Sequence, residues 1–146
     1  MSELLQLAER IVGQAKAGEQ VEVYLGRNHH TEVKVFDGAV ESLSSADTQG
    51  VGVRVIVDNR QGFAYAASLE DSIVAETLAE ARDNAAFGTV DEYLGLVSPD
   101  GVEPVELNLF REELARFPTD RKVELALELE RAVKAADPRI RGVEIA

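Results

Sequence analysis

The sequence predicts an α+β fold of two layers, a mostly antiparallel five-stranded meander sheet with amphipathic helices on one face. Three observations carry this. Apolar residues alternate with period two in short runs between Val21 and Ala67. Turn signals at Asp37-Gly38 and at Asp58 to Gly62 separate several of those runs. Segments on either side repeat their apolar residues at helical spacing.

The first helix opens at Ser2, whose hydroxyl can cap free N–H groups, and carries Leu4, Leu5, Ala8, Ile11, Val12 and Ala15 on one face. Gly18 follows as its stop signal. Val21 to Leu25 and Val33 to Phe36 read as two strands joined through Gly26 to His30, and Ala39 to Ser44 as the return strand after Asp37-Gly38. Val51 to Val57 is apolar on both faces except at Arg54, the pattern of a central strand, and Phe63 to Ala67 forms the fifth. Ser68, with Asp71 three residues on, predicts a capping box for a second helix with Ile73, Val74, Leu78 and Ala81 as its apolar face.

One domain is expected over residues 1–146, with a helix–sheet–helix core at 1–87 and an irregular packed segment at 88–118. Within that segment Tyr93, Leu94, Leu96, Val97, Leu107, Leu109 and Phe110 call for burial, and a short helix is expected from Leu109 to Arg116 with Asn108 as its cap. A helix at 119–137 carries Val123, Ala126, Leu127 and Val133 and stops before Pro138. Residues 141–146 alternate like the start of a strand cut short, so the chain is expected to be part of a longer protein.

Composition narrows the function. Fifteen Lys and Arg stand against 27 Asp and Glu, a net charge of −12, which repels nucleic-acid phosphates and anionic lipid heads. With no cysteine, disulfides and thiolate chemistry are excluded. No apolar run reaches the roughly 18 residues of a membrane span, and no basic region precedes an apolar stretch at the N-terminus, so a cytoplasmic protein is expected.

No catalytic, cofactor-binding or metal-ligating residue is predicted. His29 and His30 are adjacent, and neighbours on an extended strand point to opposite faces, a poor grip for one metal. Gly50-Val51-Gly52 falls before and within a strand rather than between strand and helix, so it is no dinucleotide fingerprint. Gly52 inside the strand instead marks a bulge or a close approach by another chain. Arg54 interrupts the central apolar run, so its guanidinium must find a carboxylate or carbonyls, or reach a partner surface. Arg54 and Gly52 are therefore the two candidate interface or structural residues.

Several stretches, taken in order, resemble the first domain of TldD/PmbA proteins: Gly18 to Tyr24, Asp37-Gly38 with Glu41, Gly50 to Val55, and Gly62 to Ala66. Asp91-Glu92-Tyr93 with Pro99-Asp100, the segment Lys122 to Glu130, and Asp137 to Ile140 look like the PmbA (TldE) branch. The resemblance implies a scaffold and partner-binding domain of a zinc metallopeptidase complex that acts on small or unfolded peptides. It implies a heterodimer with a TldD-like subunit, or self-association. Zinc is expected only in the C-terminal domain of the catalytic subunit, on a His-Glu-x-x-x-His helix that this sequence lacks, and the PmbA-like subunit itself need not be catalytic. The alternative, after an older family name, is a non-enzymatic binding module that modulates a toxin–antitoxin or DNA gyrase system.

Overall fold

The computed structural model describes residues 2–98, 100–103 and 105–143. Its elements are α1 (Glu3–Val12), β1 (Gln20–Phe36), β2 (Ala39–Val57), β3 (Arg60–Ala66), α2 (Asp71–Ala86), α3 (Glu112–Ala115) and α4 (Thr119–Ala136). The strands form one sheet in the order β1-β2-β3. β2 and β3 run antiparallel in unbroken register, from Val51 opposite Ala66 to Val57 opposite Arg60. The alternating C-terminal residues Glu144, Ile145 and Ala146 lie outside the described residues, and Arg141 to Val143 are not in a strand.

The α+β class and the antiparallel sheet agree with the sequence pattern, but the strands number three, not five. Gly26 to His30, read as a connection, lies inside β1, and Ser45 to Gly50 lies inside β2. The alternation fades there because Arg27 to His30 and Ala39 to Gln49 are all exposed. A strand with solvent on both faces needs no apolar period, while its backbone pairing continues regardless.

Both hairpin turns are two residues long. Asp37 and Gly38 have φ of 49° and 78°, and Asp58 and Asn59 have 50° and 55°. Positive φ at both central positions is what a type I′ turn requires, and Gly, Asn and Asp are the residues that accept it.

Of the three expected helix caps, Ser2, Ser68 and Asn108, one forms. Ser2 does cap α1, its Oγ accepting from Leu5 N at 3.2 Å. Ser68 does not cap α2, because the helix begins at Asp71 after Glu70, and the Ser68 hydroxyl accepts from Glu70 N, two residues on. Asn108 does not cap α3 either. Its φ of 48° is left-handed, whereas a cap needs extended backbone, and that place falls to Arg111. α4 ends at Ala136, as Pro138 dictates.

The chain divides into two compact units. The first comprises Met1–Asn28 and Asp47–Val102. Its core is built from Ile11 of α1, Val21 of β1, Val51, Val53 and Val55 of β2, Ala64 of β3, and Val74, Leu78 and Ala81 of α2. β3 meets α2 at Gly62, where a Cβ atom would lie 2.0 Å from the Ala81 carbonyl oxygen and 2.2 Å from the Ala85 nitrogen. Only glycine lets the two backbones approach that closely. In the same turn of α2, Arg82 clasps Glu19 with Nε and Nη2, each at 2.9 Å, and donates from Nη2 to the Gln14 carbonyl at 2.7 Å. This fork ties the α1–β1 connection to α2.

The second unit comprises His29–Ala46 and Glu103–Ala146. Val35 of β1 and Ala126 and Glu130 of α4 are its buried side chains among the described residues. The burial expected of the 88–118 segment is largely missing. Tyr93 and Val97 in the first unit, and Leu107, Leu109 and Phe110 in the second, are between 64% and 98% exposed. Irregular backbone there presents no regular apolar face that the short elements beside it could cover.

Candidate functional site

In the first unit the buried valines of the sheet face the two helices, so the residues between them share the opposite face. These are Glu22, Tyr24 and Gly26 on β1, Gly52 and Arg54 on β2, and Phe63 and Tyr65 on β3. Tyr24 and Tyr65 are each 78% exposed and Phe63 55%. Tyr65 stands opposite Gly52 and Phe63 opposite Arg54. The Phe63 and Tyr65 rings stack at 6.2 Å between centroids and 28° between planes, within the favoured range for aromatic pairs.

Gly52 makes this arrangement possible. The Phe63 ring leans over it, and a Cβ atom there would sit 3.3 Å from two ring carbons. The regular register through Gly52 rules out the bulge suggested by the sequence; the room left by its missing side chain is taken by an aromatic ring of its own chain. Tyr24, Gly26, Thr48, Gly52, Phe63 and Tyr65 line an open trough of about 850 Å³, within the size range of ligand pockets.

Arg54 finds a carboxylate. Its Nη2 lies 2.8 Å from Glu22 Oε2 on the neighbouring strand, and its side chain is about one-third exposed. The Nε atom is buried and has no hydrogen-bond partner. Gly52 and Arg54 thus share one face, and Arg54 is held by an ion pair within the sheet.

The remaining chemistry-bearing groups are engaged structurally. Hydrogen bonds from Arg82 hold the Glu19 carboxyl below the usual glutamate range. Lys134, with the amides of Gly38 and Asp37, lowers Glu130, and Glu130 and Asp37 in turn raise Lys134. Arg139 likewise lowers Asp137, two residues before it. Sequence reasoning missed the first two of these clusters. Glu130 could have been found, because it falls on the apolar stripe of α4 that runs through Val123, Ala126 and Leu127. Glu19 and Arg82 stand 63 residues apart, and nothing local links them.

A zinc ion does not fit the described residues. No three His, Asp or Glu side chains among them converge to hold a metal. His29 and His30 are both exposed, and the Nε2 atom of His29 lies 3.2 Å from Thr31 Oγ1. No helix among the described residues is long and apolar enough to cross a membrane.

Comparison with known proteins gives a consistent picture. Residues 21–85 match the family described as PmbA/TldA metallopeptidase domain 1. The chain is 28% identical over 125 residues to Metalloprotease PmbA of Escherichia coli O157:H7, a match covering 84% of this chain and 27% of that protein. It is 33% identical over 63 residues to an uncharacterized protein of Methanocaldococcus jannaschii, covering 43% of this chain and 15% of that one. In fold it resembles TldE from Thermococcus kodakarensis, with a TM-score of 0.69 and 23% identity over 92% of this chain and 29% of that chain. A proposed modulator of DNA gyrase from Bacteroides thetaiotaomicron gives a TM-score of 0.77 and 22% identity over 97% of this chain and 33% of that chain. The chain therefore spans a third or less of the length of each of these relatives. Together these matches support the first domain of the TldD/PmbA family for this chain.

Proposed function

We propose that this chain is the scaffold and partner-binding domain of a zinc metallopeptidase complex acting on small or unfolded peptides, in the PmbA/TldE-like branch, with a TldD-like subunit as its partner. The observation that carries the reading is the aromatic face of the first unit. Tyr24, Phe63 and Tyr65 stand in solvent around a glycine floor, on the side of the sheet turned away from α1 and α2. Contiguous exposed apolar surface of this kind marks an interaction site. The ionisable groups with shifted titration serve ion pairs and turn contacts within the chain, and none faces the trough. That division supports a role in assembly rather than in bond cleavage.

Two similar structures carry the gyrase-modulator name, which keeps a second reading in view, that of a non-enzymatic module binding a DNA gyrase system. Either partner would be a protein, since a net charge of −12 disfavours contact with nucleic acid. The test is to incubate the zinc-supplemented chain with unstructured peptides, alone and together with a TldD-like subunit. The peptidase-scaffold reading expects cleavage only in the mixture. Cleavage by the chain alone, surviving repurification, would overturn it. Binding to gyrase but not to the TldD-like subunit would favour the second reading.

A further inference from the structure

The turn that closes β1 and β2 presents two backbone donors, and one carboxylate takes both. Asp37 N donates to Glu130 Oε1 and Gly38 N to Glu130 Oε2, each at 2.8 Å. The N–H groups of an exposed hairpin turn are ordinarily left to water. Here they are held by a helix more than 90 residues further along the chain, through a side chain only 2% exposed. Lys134, one turn after Glu130, places Nζ 3.0 Å from Glu130 Oε1 and 3.2 Å from Asp37 Oδ1. Leu127 and Arg131 complete the lining of the small cavity, so Asp37, Lys134 and Arg131 are the charged groups around Glu130.

We propose that Glu130 is a conformational latch that closes the β1–β2 hairpin tip onto α4 and whose release opens the tip while the first unit stays folded. Further from the tip, the hairpin is also tied to α4 by Lys122 Nζ, which donates to Thr31 Oγ1 at 3.0 Å. Among residues 29–46, Val35 is the one buried apolar side chain. A buried carboxylate, in contrast, must keep its donors, because a carboxylate or amide left unpartnered away from water is costly. Seating and release are therefore two discrete arrangements rather than a continuum. The hairpin tip and α4 are coupled, and whatever draws α4 away frees the turn.

The latch is acid-sensitive in a definite direction. The Glu130 carboxyl is held below the usual glutamate range, chiefly by Lys134 and then by the turn amides. The latch is thus fully formed above that range and is lost as pH falls through the depressed value. Replacing Lys134 removes the largest cause and should move release to higher pH.

Amide hydrogen exchange on the whole chain tests this. Glu130→Gln keeps the shape but leaves one oxygen to accept where two did. Exchange at Asp37 and Gly38 should accelerate by about tenfold or more, with Val53 and Val55 in the first unit essentially unchanged. Unchanged exchange at the turn, or uniform acceleration throughout, would overturn the proposal. A second arm follows the Gly38 amide shift against pH. The proposal expects a midpoint that rises in Lys134→Met and survives in Asp37→Asn. A midpoint unmoved by the first substitution, or abolished by the second, would assign the transition to another group and refute the latch.

Discussion

Replacing Gly62 with alanine probes the closest contact in the first unit. The added Cβ would lie 2.0 Å from the Ala81 carbonyl oxygen, 2.2 Å from the Ala85 nitrogen and 2.8 Å from the Ala85 Cα. To reach even 3.0 Å, the shortest separation that real Cβ atoms show, the Ala81 oxygen must retreat by 3.0 − 2.0 = 1.0 Å. All three atoms are helix backbone, so no side chain can rotate away. α2 must move off β3 as a body, carrying Val74, Leu78 and Ala81 from the core. A gap of 0.5–1 Å already forfeits about a quarter to a half of each dispersion contact. The cost should reach the top of the overpacking range, about 3 kcal/mol, equivalent to a fall in Tm of roughly 6–12 °C for a chain of this size. Urea unfolding followed by tyrosine fluorescence measures it. The chain has three tyrosines and no tryptophan, and Tyr24, Tyr65 and Tyr93 all belong to the first unit. Gly95→Ala is the control, since its Cβ would meet only Gln20 Oε1, at 3.9 Å. A Gly62→Ala midpoint indistinguishable from that of the control would refute the close helix–strand approach.

Three further outcomes follow from the same structure. Leu78, 1% exposed at the centre of the core, should cost about 2–5 kcal/mol on truncation to alanine, measured by the same unfolding curve. Arg82→Met should destabilise by about 3 kcal/mol at pH 7, because it strands the nearly buried Glu19 carboxylate. Since pairing lowers the Glu19 pKa, the difference from the parent should be full above the usual glutamate value of about 4.3 and shrink as pH falls through the depressed one. A difference that grows in acid would show that Glu19 is not the partner lost. Asn59→Val, which forces a β-branched residue to φ of 55°, should cost about 1–2 kcal/mol, while Asn59→Gly should be tolerated; equal effects would argue against the type I′ geometry.

What the sequence made legible follows from what each signal measures. The Asp37-Gly38 turn, the Ser2 cap and the end of α4 before Pro138 were readable because each is set by the stereochemistry of one or two residues. Strand continuity was not. Period-two alternation records burial on one face, and from Arg27 to His30 and from Ala39 to Gln49 neither face is buried. Ser68 and Asn108 carried cap chemistry but sit in other local structures, one accepting from a nearby turn amide and the other in left-handed backbone. The trough was half visible. Gly52 and Arg54 stood out against an apolar run, yet the aromatic wall depends on the β2–β3 register, which sets Tyr65 and Phe63 opposite them. Pairings such as Arg82 with Glu19 and Glu130 with the hairpin turn join residues 63 and more apart, and exist only once the fold is made.

Whether the aromatic face seats a TldD-like subunit, as proposed, is decided by sedimentation velocity of the chain with such a subunit, as parent and as Tyr24→Ser/Tyr65→Ser. Both tyrosines are 78% exposed, so the substitutions should leave the fold intact. The parent should form a complex at micromolar concentrations and the variant should bind at least about tenfold more weakly, the loss expected on removing aromatic anchors. No complex with the parent, or equal affinity for the two, would contradict the proposal.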